Sequence, residues 1–213
     1  MVEELLRSPF EIIHLLATDR YLEEHPCNAP QLETVTEIQM EQMSGQDTPP
    51  GILSVVRIPK HKAPIGEGMV LALDGIANPG NMGTIIRTAE WFGIRQIVCS
   101  EDCVEVWNPK VIQATMGSIF RMQVVSTDLP LYLQEEKKGG KAIYGALLEG
   151  EDIFKRSQWE DGVIVIGSES HGIRDNILPF ITHPITIPRA EGSVTESLNA
   201  ATAAGIILAN FIF

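Results

Sequence analysis

The sequence predicts an α/β fold with a mostly parallel sheet held between helix layers. Three observations carry this. Six short runs are apolar without alternation: 69–73 (MVLAL), 96–99 (QIVC), 121–125 (RMQVV), 142–148 (AIYGALL), 163–167 (VIVIG) and 184–187 (PITI). Runs of this kind suit strands buried on both faces, as parallel strands between helices are. Helical segments lie between the runs, and that alternation is the mark of a parallel sheet. Polar loops rich in glycine follow three of the runs, at the strand ends where open α/β sheets bind ligands.

Residues 1–66 have a different texture and are read as a separate N-terminal domain, with 67–213 as the second. Phe10, Ile12, Ile13, Leu15 and Leu16 suggest a short helix or strand core. Thr36 to Met43 fits a helix and Gly51 to Ile58 a strand. Prolines and glycines then punctuate the chain between Pro59 and Gly68. A piece of about 60 residues is marginal for independent folding. It is expected either to lean on the second part or to be incomplete at its start. From Met69 onward the helices follow in order. Asn78 or Asn81 caps one that runs to Trp91, with Met82, Ile85, Ile86 and Ala89 inward and Gly93 at its end. Asn108-Pro109 opens another to about Met116. Leu129–Lys138, a short Gly172–Pro179 and an apolar Ser197–Phe211 complete the set. The last is apolar nearly all round, so it should pack against a sheet or a second subunit.

The 213 residues include 16 basic and 28 acidic side chains, a net charge of −12. That balance argues against a sequence-blind polyanion binder, though a local basic patch remains compatible with it. Cys27, Cys99 and Cys103 have neither paired nor CxxC spacing, which speaks against a disulfide framework or a zinc site. The start is acidic where a signal peptide is basic. No apolar run reaches the ~20 residues that span a membrane. The expectation is a cytoplasmic protein without membrane contact.

Three loops hold polar residues on one sheet edge: 74–81, 168–172 and 188–199. Asn81, Arg87, Glu169, Ser197 and Asn199 stand out there. Each has an ordinary alternative: Asn81 and Ser197 as helix caps, Arg87 as an ion-pair partner of Glu90, Glu169 as loop solvation. Their shared edge favours a common site. There is no GxxxxGK[ST] and no GxGxxG after a strand, so phosphate-loop and nicotinamide sites are not indicated. GSESHG carries Glu169 where a nucleophile elbow needs serine. His14, His25, His61, His171 and His183 show no ligand spacing, and no metal is expected.

At these residues the chain resembles a known family. NPGNMGTIIRTAEWFG, IGSESHGI and IPRAEGSVTESLNAATAAGI are similar, in order, to the three motifs of the SpoU/TrmH RNA methyltransferases of the SPOUT superfamily. The resemblance covers about Met69 to Phe213. The N-terminal piece is similar to the end of an L30e-like RNA substrate-binding domain. The resemblance implies a deep C-terminal trefoil knot, although knots are rare. It implies bound S-adenosylmethionine and a homodimer whose site draws on both subunits. Carried over by position, cofactor contacts fall at Gly167, Ile187 and Leu198, with Ala146–Glu149, Leu147 among them, nearby. Catalytic or site-holding roles fall at Arg87, Asn81, Glu169, Ser197 and Asn199. Ala200-Ala201 and the one-residue-longer stretch from Gly192 to Ser197 depart from the family pattern.

The implied reaction is methyl transfer to a ribose 2′-hydroxyl of rRNA or tRNA, an in-line displacement that gains from alignment. Taking the proton from a guanidinium at pH 7 costs roughly 7 kcal/mol, so a cationic Arg87 that grips phosphate is physically easier than Arg87 as base. Asn81 and Glu169 are expected to orient it. Lys110, Arg121, Arg174 and Arg189 are candidate contacts to RNA phosphates. Two other readings stay open: an RNA-binding or assembly module without turnover, and a hydrolase using Ser168 or Ser170.

Overall fold

A computed structural model describes residues 1–29, 31–59, 68–156 and 158–212. The chain divides into two compact units, 1–60 and 61–213. The expected boundary at 66/67 falls within 60–67, outside the described residues.

The N-terminal unit has a three-stranded sheet. In chain order it comprises α1 (Val2–Leu6), β1 (Ile12–Thr18), α2 (Asp19–Glu24), β2 (Leu32–Val35), α3 (Glu37–Met43) and β3 (Ile52–Val56). The strands lie β2-β1-β3, parallel on one side of β1 and antiparallel on the other. Leu15, Ala17 and Ile52 form its core. Local chemistry sets the helix starts. The Thr18 hydroxyl accepts from the Tyr21 N–H at 3.3 Å. Thr36 and Gln39 form a reciprocal capping box that opens α3 as expected. The helices α1 and α2 and the strand β2 had no strong periodic signal, being six residues or fewer.

The second unit continues with β4 (Val70–Asp74), α4 (Pro79–Trp91), β5 (Gln96–Ser100), α5 (Pro109–Ala114), β6 (Gln123–Thr127), α6 (Leu129–Lys138), β7 (Ala142–Asp152), β8 (Gly162–Gly167), β9 (His183–Thr186) and α7 (Ala200–Ile212). Its six strands lie in the order β6-β5-β4-β8-β7-β9, and every pairing is parallel. The continuous apolar runs are the reason. Val70, Leu71, Ala72 and Leu73, like Val163, Ile164 and Val165, are buried completely, which only a sheet covered on both faces permits. Asn78, not Asn81, caps α4, accepting from the Asn81 N–H at 3.1 Å. Met82, Ile85, Ile86 and Ala89 then face the core. Gly93 follows with φ of 78°, a left-handed stop that suits glycine. Gly83 packs on α5, where an added Cβ would lie 2.4 Å from that of Ala114.

Two expectations need correction. Gly172–Pro179 is not a helix but a turn followed by a 3₁₀ segment, Leu178–Phe180. Gly172 has φ of 65° and Pro179 lacks a donor, so no i→i−4 ladder starts there. The last helix begins at Ala200 rather than Ser197, because Asn199 caps it. Its apolar surface is used within the chain: Phe211 stacks on Trp159 at 3.8 Å, and Trp159 donates to Asn210 Oδ1 at 2.9 Å.

Candidate functional site

Strand order decides which loops meet. β4, β8, β7 and β9 are consecutive neighbours with a common direction, so their carboxyl ends form one edge. At or near those ends stand Asn81 at the start of α4, Glu169 in the turn after β8, Leu147 in the irregular part of β7 and Asn199 after β9.

At β8, Gly167 leads into a tight return in which Ser168 and Gly172 exchange backbone hydrogen bonds of 3.2 and 2.8 Å. A Cβ on Gly167 would fall 2.0 Å from the Gly172 carbonyl carbon, so only glycine fits. The return presents Glu169. At β7 the chain makes an excursion: Ala146 and Glu151 both register with Ile185 of β9, and the residues between them loop out. Gly150 passes so near β9 that a Cβ would sit 2.7 Å from the Pro184 carbonyl. The Thr186 hydroxyl donates to the Leu148 carbonyl at 3.1 Å, which ties the β7 and β9 loops together.

Three sequence-predicted residues are brought into one network. The Asn81 amide donates to Glu169 Oε1. Asn199 Nδ2 donates to Asn81 Oδ1 at 3.0 Å and lies 3.4 Å from Glu169 Oε1. The Ala200 N–H also points at that carboxylate oxygen, at 3.3 Å. Asn199 Oδ1 accepts from the Ala201 and Thr202 N–H groups at 3.0 and 3.2 Å. Glu169 thus collects donors from two loops and the start of α7, and a carboxylate is the acceptor that can do so.

The other predicted residues are placed differently. Arg87 is exposed on α4 and bonds to no described residue. It is not oriented by Asn81 or Glu169, contrary to expectation. Six positions along a helix turn the side chain by about 120° and advance it about 9 Å, onto another face. Nor does it pair with Glu90, whose carboxylate takes Arg121 Nε at 2.5 Å and the Ser118 hydroxyl at 2.7 Å. Ser197 is exposed and is not the cap of α7. Gly167 and Ile187 are half-buried, as is Leu147, while Leu198 is 44% and Leu148 71% exposed.

The expected phosphate contacts divide. Arg121 is committed to Glu90, whose carboxyl it holds below the usual carboxylate range with help from Ser118. Arg174 is committed to two carboxylates. Its Nε donates to Asp74 Oδ1 at 2.7 Å, its backbone N–H to Asp74 Oδ2 at 2.8 Å, and its Nη1 to Asp102 Oδ2 at 3.0 Å. The Asp74 side chain is fully buried, so this charge needs its cation. Hydrogen bonding to Asp74, then the two negative charges, keep the Arg174 guanidinium above its ordinary value. Both arginines are thus paired with carboxylates of the chain itself, which the sequence did not show. Arg189 is exposed and donates to the Thr195 carbonyl at 2.9 Å. Lys110 is exposed, with no side-chain partner among the described residues. Asp74 and Asp102 themselves were missed. A carboxylate closing the run VLALD was the available signal.

The Glu90–Arg121 pair has a pH signature. Its folded-state carboxyl is depressed, so its contribution is complete above the ordinary carboxylate range near pH 4.3 and is lost as pH falls through the folded value. Glu90→Gln is expected to cost under about 1 kcal/mol at pH 7 and to flatten the acid side of a plot of Tm against pH. An acid limb of unchanged slope would show that the pair is neutralised by solvent.

Among the described residues no helix is long and apolar enough to cross a membrane, and no three His, Cys, Asp or Glu side chains are placed to hold a metal.

The model of the SpoU rRNA Methylase family matches residues 68–209. The chain is 30% identical, over 98% of its length and 84% of the relative's, to the 23S rRNA (guanosine(2553)-2′-O)-methyltransferase RlmP of Bacillus subtilis. It superposes with TM-score 0.90 and 33% identity, over 99% of this chain and 85% of the other, on a protein of Porphyromonas gingivalis described as a TrmH-family RNA methyltransferase. The Streptomyces viridochromogenes SpoU methyltransferase AviRb, solved with AdoMet, shares the fold at TM-score 0.81 and 22% identity, over 98% of this chain and 85% of AviRb.

Proposed function

Because this chain belongs to the SpoU rRNA methylase family, we propose that it transfers a methyl group from S-adenosylmethionine to a ribose 2′-hydroxyl of RNA. The observation that carries this reading is the network joining Asn81, Glu169 and Asn199, one residue from each motif. A pure RNA binder has no need to lock these loops together. A hydrolase is not supported, since among the described residues Ser170 meets only the neighbouring His171 ring at 2.8 Å, with no acid hydrogen-bonded to that ring.

The β7–β8–β9 edge fits the cofactor. Leu198 and Leu148 leave apolar surface exposed there, beside half-buried Leu147 and Ile187, and the Gly167 turn is closed to any side chain. These residues would hold the cofactor, which when bound supplies an electrophilic methyl on a sulfonium. Glu169, Asn81 and Asn199 keep the surrounding loops in register. Arg87 grips a substrate phosphate and lowers the cost of losing the hydroxyl proton. Ser197 and Asn199 are read as residues that fix the loop and the ribose, and Lys110 and Arg189 as candidates for phosphate contacts.

Arg87 faces away from its own network, with Trp91 one turn on and 83% exposed. This supports a homodimer in which Arg87 completes the partner's site. The excursion of β7 beside β9, tied by the Thr186 hydroxyl to the Leu148 carbonyl, supports a trefoil knot. The N-terminal unit is read as an L30e-like substrate-binding domain. It has three basic against ten acidic residues through Pro59, and Arg57 is held by Glu11 at 2.6 Å. It would therefore act through shape and base contacts more than phosphates. The reading places the enzyme in the cytoplasm, on rRNA or tRNA.

Calorimetric titration of the intact protein with S-adenosylmethionine tests this. The expected result is saturable binding in the micromolar range, about −8 kcal/mol. No heat at millimolar cofactor would leave the RNA-binding module as the better reading.

A further inference from the structure

Glu169 is exposed, so its bond to Asn81 lies in contact with water, where one polar link contributes little net stability. A second link joins the same two segments and is anchored in the interior. Arg174 follows the turn that presents Glu169. It reaches Asp74, where β4 enters the loop that leads to Asn81. Its Nε donates to Asp74 Oδ1 at 2.7 Å and its backbone N–H to Asp74 Oδ2 at 2.8 Å, and its Nη2 also donates to Oδ1. Nη1 and Nη2 reach on to Asp102 Oδ2 and Oδ1, at 3.0 and 3.1 Å, in the loop after β5. The three loops converge closely. A Cβ on Gly75 would lie 3.5 Å from Asp102 Oδ2 and 3.9 Å from Ser168 Cβ. The β4 and β5 loops are also knitted without Arg174: the Gly75 N–H donates to the Ser100 hydroxyl at 2.9 Å, and the Val104 N–H to the Ile76 carbonyl at 2.9 Å. Arg174 adds the turn after β8 to them. Ile173 and Ile177 are buried on either side of it and fix the depth of this segment. Apolar contact is not directional, whereas a guanidinium fork on a carboxylate is, so Arg174 sets the angle of the turn.

On the methyltransferase reading above, we propose that Arg174 is a positioning residue for methyl transfer: held by buried Asp74, it fixes the 168–172 turn so that Glu169 meets Asn81 and Asn199. It acts through Glu169 and not on the reacting atoms. The Asp74–Arg174 and Asn81–Glu169 links close a ring of backbone. The Asn81–Glu169 link exchanges readily with water, so alone it leaves the carboxylate several placements. The Asp74 carboxylate is shut off from water and needs its cation, so the ring keeps one geometry while that pair is made. In-line transfer depends steeply on such placement, and a displacement of about 1 Å costs about 10²-fold.

The test compares Arg174→Lys, Arg174→Ala and the double variant Asp74→Asn/Arg174→Ala in the full chain, at a temperature where circular dichroism shows each to be folded. Single-turnover methyl transfer at saturating cofactor is expected to fall about tenfold in Arg174→Lys, which keeps the charge and loses the fork, and about 10²-fold in Arg174→Ala. The double variant should regain part of the urea midpoint lost in Arg174→Ala and none of the rate. A role in stability alone predicts a rate that returns with the midpoint. Because Arg174 acts through Glu169, Arg174→Lys should cost less than about twofold in rate on an Asn81→Ala background. Hydrogen exchange at the Ser168 and Gly172 amides should quicken in Arg174→Lys while that of β4 stays constant. Native rates in both single variants, a rate that follows the urea midpoint, an undiminished tenfold loss on the Asn81→Ala background or unchanged exchange in the turn would overturn the proposal. A wild-type chain that transfers no methyl would overturn the methyltransferase reading and this role with it, an outcome distinct from an active wild type with fully active variants.

Discussion

Replacement of Arg87 by alanine is expected to reduce methyl transfer about 10²–10³-fold, the range seen when one group that stabilises a transition state is removed. The structure predicts this loss without a loss of fold. Arg87 is exposed and bonds to no described residue, so Arg87→Ala should leave stability within about 0.5 kcal/mol. Cofactor affinity should also stay nearly constant, because the residues proposed to hold the cofactor lie on the β7, β8 and β9 loops, not on α4. Single-turnover transfer of labelled methyl to total RNA from cells lacking the gene would measure the first quantity, and calorimetry the second. A shared site adds a sharper test. Mixing Arg87→Ala chains with chains carrying Glu169→Ala should restore activity if each subunit supplies a different half. Near-normal turnover of Arg87→Ala alone would remove this residue from the site.

The second large effect is on stability. Arg174→Ala is expected to cost about 3 kcal/mol at pH 7, read as a lower urea midpoint at constant m. Asp74 is the reason. Its side chain is completely buried at the carboxyl end of β4, and the Arg174 guanidinium is the cation bonded to it. Removal of the arginine leaves a carboxylate in the interior without compensation, which costs more than the loss of a surface pair. Asp74→Asn combined with Arg174→Ala should therefore lose less than Arg174→Ala alone, since the stranded charge is gone. If the double variant were the less stable, the interaction would be packing and not charge. The same pair reaches across from the turn after β8 to the loops after β4 and β5, so some activity should fall with it.

Much of the fold could be read from residue order. VLAL and VIVI had to lie between two layers, because no alternation left them a wet face. Asn108-Pro109, Thr36 with Gln39, and Gly93 marked helix ends through local hydrogen bonding and backbone freedom, which act over a few residues. The errors came where long-range partners override local preference. Gly172–Pro179 has helix-compatible residues, yet the Arg174 N–H is taken by Asp74, 100 positions earlier. Asn78 and Asn81 were equal candidates to cap α4, and only the placement of Glu169 shows why Asn81 is free for another task.

The site divides along the same line. Sequence alone identified Asn81, Glu169 and Asn199, because three motifs with glycine turns at strand ends need such residues for chemistry more than for folding. It also pointed to the family, and it put Arg87 forward for the acceptor side of the site. It could not tell which cations are free. Arg121, Arg174, Arg189 and Lys110 look alike as letters, and their charge is available only where no carboxylate has claimed it. That depends on which loops the strand order β4-β8-β7-β9 places side by side. Coulombic and hydrogen-bond energies fall steeply with distance, so the roles of charged residues are fixed by tertiary contacts, whereas the buried strands were already fixed by the composition of the chain.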